Sequence, residues 1–299
     1  GEGFMNSLKV EADSVVTPSG GDNGGIGTKL EGNDLKHLAY GSSSAKSVTL
    51  SFWVRSNKTG IYCVQLQVNQ GSGNSDQYSH VKEYTISSAN TWEKKTLTFS
   101  GLTAGAITST TTDGLRVLWW LACGSSDHVA ADTWTATASY AATSNQVNFM
   151  DSASNEWYLT GCQLEVGTEA TPFEHRSYGD ELARCHRYYY RLSCDGSHDG
   201  VYAVGNAYTT DDAICAFSVP VAMRTEPTLG YQTGSSGTRI RTGAGSSQQI
   251  SSLSIVGFDN TNFTNFSFFG TTTTTNLTIG HAAQFRVSTN DFFDLDAEL

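Results

Sequence analysis

The sequence predicts an all-β protein: an N-terminal jelly-roll β-sandwich, a short helical connector and a smaller C-terminal β-sandwich. Three observations predict it. Only 16% of the residues are charged, while 30 glycines and long Ser/Thr stretches accompany 13 Tyr, 14 Phe and 6 Trp, a composition of strands joined by many turns. Strand-like runs recur about every ten residues with no helical period between them. The 299 residues exceed the common single-domain size, so two domains, each able to bury a core, are expected.

In chain order, Leu8 to Val16 is the first expected strand. The run S-G-G-D-N-G-G-I-G follows, from Ser19 to Gly27. A phosphate-cradling loop would lie between a strand and a helix and close on a Lys-Ser/Thr pair; here a strand follows and no such pair is present, so the run reads as a flexible surface loop. Further strands are expected at Leu30–Tyr40, Ser47–Ser56, Ile61–Asn69, Ser79–Ile86, Trp92–Phe99, Gly114–Cys123, Thr133–Tyr140, Gln146–Met150 and Trp157–Val166. The first and last of these would close one unit, residues 1–174.

A connector over residues 175–190 follows. In the strand that precedes it, Tyr158, Cys162, Leu164 and Val166 share one face at period two, with Thr160 the polar member. Gly167 ends that strand, and Pro172 biases Thr171 to an extended conformation, so Thr168 to Phe173 should leave the sheet as an irregular arm. Asp180 and Glu181 place carboxylates in the first turn of a helix on which Leu182, Cys185 and Tyr189 fall at helical spacing.

The second domain, residues 191–299, shows the same cadence from a strand at Tyr188–Leu192 onward: Gly200–Tyr208, Ala213–Val219, Thr228–Gln232, Gln249–Gly257, Asn262–Phe269, Thr274–Ile279, Ala283–Val287 and a closing D-F-F-D-L-D-A-E-L. Gly234 to Ser247 reads as a mobile hairpin or exposed loop. Phe263, Phe266, Phe268 and Phe269 are too uneven for simple alternation, which implies a bulge or a mixture of core and subunit contacts.

The run Y-L-T-G-C-Q-L-E-V-G…A-T-P-F-E-H-R-S-Y-G-D-E-L…C-H-R-Y-Y, from Tyr158 to Tyr189, resembles a seam of structural proteins of tailed bacteriophages, especially marine, cyanophage-like ones, that form tail fibres or virion appendages. V-T-L-S-F-W-V-R-S from Val48 to Ser56 is similar to a strand of their N-terminal sandwich, F-S-V-P-V-A-M-R-T-E-P-T from Phe217 to Thr228 to their C-terminal domain, and the C-terminal nonapeptide to their ending. The resemblance implies a virion component that works as a homotrimer with other tail or capsid proteins, and reduced thiols would suit its assembly in the host cytoplasm. Physically, the aromatic surplus and the Leu182, Cys185 and Tyr189 face would suit packing around a threefold axis.

Facing follows from alternation. Leu50, Phe52 and Val54 share one side and leave Trp53 and Arg55 on the other; Leu115, Val117, Trp119 and Leu121 oppose Arg116, Leu118 and Trp120. Trp53 and Trp120, with Arg55 and Arg116, are the expected ligand surface, as in carbohydrate-binding modules of this architecture: an indole covers the C–H face of a pyranose while polar neighbours bind its hydroxyls. The competing reading has these rings packed under a loop or against another subunit.

The remaining chemistry is excluded or bland. A net charge of −11 argues against sequence-independent nucleic-acid binding. No apolar run approaches the ~20 residues of a membrane span, and no basic-then-apolar leader is visible. Glu165, Glu169, Glu174, Asp180 and Glu181 cluster, but at a strand end and helix start they have structural work, so no catalytic pair is assigned. Neither G-x-S-x-G nor H-E-x-x-H occurs; Ser125, Ser126, Asp127 and His128 read as polar turn residues rather than a nucleophile system. The 6 cysteines lack a C-x-x-C pair and read as reduced, buried thiols, with disulfides the alternative that their even count leaves open, and Cys185, His186, Cys194 and His198 form only a weak zinc pattern. No cofactor is assigned; a structural calcium would draw on Glu2, Glu11 or Glu165, and nothing in the spacing selects them. The expected function is host-surface glycan attachment by a non-enzymatic virion protein, the alternatives being a purely structural adaptor and a depolymerising tailspike.

Overall fold

The protein is described here by a computed structural model covering residues 3–70, 77–136, 140–194, 200–231, 237–243, 247–258, 263–288 and 291–298. Among the described residues it is all-β apart from one α-helix and short 3-10 turns, and it divides into two compact units, residues 1–175 and 176–298.

The first unit contains β1 (Leu8–Glu11), β2 (Asn23–Glu31), β3 (Val48–Ser56), β4 (Gly60–Asn69), β5 (Gln77–Ile86), β6 (Glu93–Phe99), β7 (Asp113–Cys123), β8 (Trp134–Thr135) and β9 (Glu156–Val166). A four-stranded sheet ordered β1-β9-β3-β6 faces a five-stranded sheet ordered β2-β7-β4-β5-β8. Apart from the short β8, that interleaving is the order a double Greek key produces. The alternation in β3 and β7 sets the interior: Leu50, Phe52 and Val54 bury against Leu115, Val117, Trp119 and Leu121. Phe52 meets Trp119 edge-on at 5.8 Å, and each such side chain contributes roughly 1.5–3 kcal/mol through burial.

Several expected elements differ. The strand expected at Leu30–Tyr40 ends at Glu31 and gives way to a 3-10 helix, Gly32–Leu38, whose Leu35 and Leu38 point into the core three residues apart. The first strand stops at Glu11, the eighth comprises Trp134–Thr135 among the described residues, with 137–139 outside them, and Gln146–Met150 yields to a 3-10 turn, Phe149–Asp151, capped by the Asn148 side chain. The glycine run is a loop only from Ser19 to Asp22, because Asn23 to Gly27 opens β2 and pairs with β7.

The single-face reading of β9 also fails, for a definite reason. Gly161, at φ +59°, and Cys162 together oppose Phe52, a β-bulge in the β3–β9 ladder. Before it Trp157 and Leu159 face the core, which leaves Tyr158 and Thr160 outside; after it the parity reverses and Leu164 turns inward. Beyond Gly167 the irregular arm folds back: Thr171 N–H donates to Glu165 at 3.0 Å, Glu174 N–H donates to Gln163 Oε1 at 2.7 Å, and Phe173 packs edge-on against Phe4 at 4.8 Å.

In the second unit, helix α1 (Tyr178–His186) starts at Ser177, whose hydroxyl accepts from the Asp180 N–H at 3.2 Å. The strands are β10 (Tyr189–Ser193), β11 (Gly200–Ala207), β12 (Asp212–Ser218), β13 (Thr228–Tyr231), β14 (Arg239–Thr242), β15 (Ser247–Phe258), β16 (Asn265–Thr272), β17 (Ala282–Val287) and β18 (Phe292–Asp296). They do not form the expected second sandwich. Six close into a barrel, β11-β12-β16-β15-β14-β17, and β10-β18-β13 form a separate three-stranded sheet whose Phe293 and Leu295 share the barrel's core.

The strand that closes the barrel lies in the run expected to be a mobile hairpin or exposed loop, and it pairs antiparallel with the strand that follows it. Within Gly234–Ser247, residues 237–243 and 247 are described; Arg239–Thr242 pairs with β15 on one side and β17 on the other, with Ile240 1% exposed. Small inward residues, Ala203, Ala207, Ala213 and Ala283, leave room for Phe266, Phe268 and Phe285. The phenylalanine row resolves into Phe266 and Phe268 inside, Phe269 on the opposite face beside Tyr208, and Phe263 before the strand at φ 45°. Thr274–Ile279 forms no strand.

Candidate functional site

The structure places Trp53 and Trp120 on the outer faces of different sheets of the first unit, so the single contact surface expected from them is instead two clefts.

The Trp120 cleft, about 300 Å³, lies on the five-stranded sheet. Gln65 and Gln67 alternate along β4 with the buried Val64, Leu66 and Val68, which turns both amides outward beside Arg116, Leu118 and Trp120 of β7. Opposite Trp120 and Leu118 in β2 stand Gly25 and Gly27, and a Cβ on Gly25 would lie 2.5 Å from the Trp119 carbonyl oxygen and 2.9 Å from the Trp120 ring. The two bulky side chains lean over the space that the glycines leave.

The polar groups around them are fixed by one another. The Trp120 indole N–H donates to Gln65 Oε1 at 2.9 Å, and Gln65 Nε2 donates to Ser79 Oγ at 2.7 Å and the Tyr140 carbonyl at 2.6 Å. Gln67 Oε1 accepts from Arg116 Nη1 at 3.2 Å while Arg116 Nε pairs with Asp113. Asn23 Nδ2 donates to Asp127 Oδ2 at 2.8 Å. Part of the indole packs on Cys63, Val81 and Ala142, so the loop-packing alternative is realised along one edge while the remainder lines the cleft. A preset donor and acceptor array beside an aromatic ring can bind hydroxyl-rich ligands without reorganising.

The second cleft, about 270 Å³, lies on the four-stranded sheet. Antiparallel register brings Trp53 opposite Thr160 and Arg55 opposite Tyr158, and it brings Lys9 of β1 to the other side of Tyr158. Tyr158 thus sits between two cations, with Arg55 Cζ 5.1 Å and Lys9 Nζ 5.7 Å from its ring centroid. Trp92 meets the same ring edge-on at 6.2 Å, and Thr160 Oγ1 donates to the Asn6 carbonyl at 2.8 Å, holding the N-terminal segment along the rim.

The other candidates take structural places. Glu165 accepts from Thr171, Asp180 accepts from Ser177 Oγ at 2.7 Å, and Glu181 pairs with Arg176 at 2.8 Å. Glu11 pairs with Lys9, and Glu2 and His198 lie outside the described residues. Among the described residues no group of three or more His, Cys, Asp or Glu side chains could hold a metal ion. All 6 cysteines are free, yet only Cys63 and Cys215 are buried. Leu182 and Cys185 are exposed on α1, but Tyr189 belongs to β10 rather than to the helix face, and its hydroxyl donates to Asp294 Oδ2 at 2.7 Å.

Gln65, Gln67, Asn23 and Asp127 were not anticipated, nor were Trp92, Tyr158, Thr160 and the segment from Phe4 to Ser7. Alternation in β4 puts the glutamines on the outer face of the sheet, where both are nonetheless buried; the others depend on the β9 bulge and on loops.

No protein-family model and no curated protein sequence matches the chain. Among solved structures it is similar to the binding domain of botulinum neurotoxin serotype D/C VPI 5993, at 11% identity over 95% of this chain and 94% of that one, with a TM-score of 0.21. It is also similar to a structure described as HCR/D-Sa-GBL1/C, at 10% identity over 98% and 90% of the two chains, again with a TM-score of 0.21. Scores this low carry no functional argument.

Proposed function

We propose that this chain is a virion protein of a tailed bacteriophage, part of a tail fibre or capsid appendage, which attaches to a host-surface glycan through the Trp120 cleft and works as a homotrimer. The virion assignment rests on the resemblance carried by the Tyr158-to-Tyr189 seam. The attachment assignment rests on one observation: Trp120 lies beside a ring of amide and guanidinium groups already fixed in place, over a β2 edge hollowed by Gly25 and Gly27. Individually weak sugar contacts gain strength when three copies present them together.

A glycan array followed by titration calorimetry on the intact protein tests this. Trp120→Ala is expected to weaken binding at least about tenfold, the effect of removing a contact worth ~1.4 kcal/mol or more, while Trp120→Phe retains part of it. Undiminished binding in Trp120→Ala would refute the site. One observation favours a structural adaptor instead: α1 buries none of its residues and leaves Tyr178 81% exposed, a surface suited to a neighbouring subunit. A blank array from an intact oligomer selects that reading.

A further inference from the structure

The cleft on the four-stranded sheet has a chemistry of its own. Arg55 is the one charged residue among those lining it. The nearby carboxylates are already engaged. Glu156 takes Lys9 on one oxygen at 2.8 Å and the Tyr158 hydroxyl on the other at 2.8 Å, Glu11 takes Lys9, and Glu93 takes Lys95 at 2.6 Å together with the Ser87 and Ser88 amides. Lys9 is thereby neutralised. Arg55 is different: its guanidinium is stacked on Tyr158, no carboxylate of the described residues forms an ion pair with it, and its Nε is shielded from water without a hydrogen-bond partner.

A shielded guanidinium N–H left unbonded is destabilising, and a planar carboxylate is the ligand group whose two oxygens match the guanidinium fork. Trp53 and Trp92 add aromatic surface on the walls of the same cleft, where the C–H face of a sugar ring can rest. At about 270 Å³ the space is near the roughly 300 Å³ lower end for small-molecule sites, which suits a terminal sugar unit rather than a long chain. We infer that this groove is a second ligand site, separate from the Trp120 cleft, and that it takes a carboxylated sugar, a uronic or sialic acid unit, with its carboxylate on Arg55 and its ring against Trp53 or Trp92. Asn6, Ser7 and Thr160 on the rim supply groups for its hydroxyls.

The test compares binding of the intact protein to a uronic-acid polysaccharide and to the same polymer with its carboxyls reduced to alcohols, together with sialylated and sulfated oligosaccharides. Because the wild-type protein is used on both sides, that comparison does not depend on any variant folding. Reduction of the carboxyls is expected to weaken binding roughly ten- to a hundred-fold, the worth of a charge-assisted pair. Arg55→Lys, which keeps the charge and loses the fork, is expected to weaken it about tenfold with an unchanged melting temperature. Equal affinity for native and reduced polymer overturns the inference, as does a complete absence of binding to every carboxylated sugar. A sulfated ligand preferred over both acids would assign the groove to sulfate and overturn it too. Acid binding lost in Trp120→Ala but retained in Arg55→Lys would move the site to the other cleft. The proposed attachment site fails on Trp120→Ala with neutral glycans, so the two failures are distinguishable.

Discussion

Gly24 and Gly25 are adjacent in β2, yet their surroundings differ sharply, and this offers a matched test of how the Trp120 cleft is built. A Cβ on Gly24 would meet nothing within 4 Å, whereas one on Gly25 would stand 2.5 Å from the Trp119 carbonyl oxygen and 3.2 Å from the Trp120 Cα, backbone atoms that cannot swing aside. Gly25→Ala must therefore push β2 off β7 or tilt the indole away from Gln65. Forcing an extra methyl into a filled site costs about 1–3 kcal/mol, and for a unit of this size each kcal/mol lowers the melting temperature by about 2–4 °C. We expect Gly25→Ala to melt about 2–12 °C below the wild type, with altered near-ultraviolet circular dichroism from Trp120 and weakened glycan binding. Gly24→Ala should lie within about 0.5 kcal/mol of the wild type. Scanning calorimetry and urea titration of the two variants decide the matter. If both melt alike, the glycines are not what shapes the cleft.

Two further outcomes follow from buried and bulged positions. His80 is 1% exposed between Phe99 and Trp134, and burial, with Lys82 adding to it, lowers its pKa from 6.5 to about 4. The fold holds it neutral, so the unfolded chain binds the extra proton first: stability is intact above about pH 6.5 and falls as the pH drops toward 4, by up to ~3 kcal/mol. Urea titrations at stepped pH should show this decline in the wild type and a shallower one in His80→Phe; parallel curves would refute it. Gly161→Ala puts a Cβ at φ +59° and 2.4 Å from the Phe4 ring, and it should cost about 1–2 kcal/mol from the backbone alone. A denaturation midpoint unchanged from the wild type would show that β9 does not need that bend.

Where side chains alternate strictly, the sequence was readable. Leu50, Phe52 and Val54, and the Leu115-to-Leu121 row, reveal their own facing because neither strand departs from period two between them. The same logic misled at β9, since one left-handed glycine adds a residue and reverses the parity of everything beyond it. The glycine run failed for the opposite reason: Gly25 and Gly27 read as flexibility, when they are absences that make room for Leu118 and Trp120 across the ladder. Arg239–Thr242 was hidden by flanking Gly and Ser, and only its pairing on both edges reveals it as the closing strand. Trp53 and Trp120 were each correctly turned outward. That they belong to opposite faces depends on which strands share a sheet, and local periodicity carries no such information.

The clasp of Phe4 against Phe173 and His175, at 4.8 and 5.5 Å, has a consequence for how such a unit can be reused. The segments that precede β1 and follow β9 are held within one aromatic contact of each other, beside the antiparallel pair that those two strands form. A cassette with its two ends gathered at one point can be spliced into a surface turn of an unrelated host without stretching either partner. The same arrangement lets the unit be moved between hosts as a single piece, its attachment reduced to a pair of adjacent chain ends.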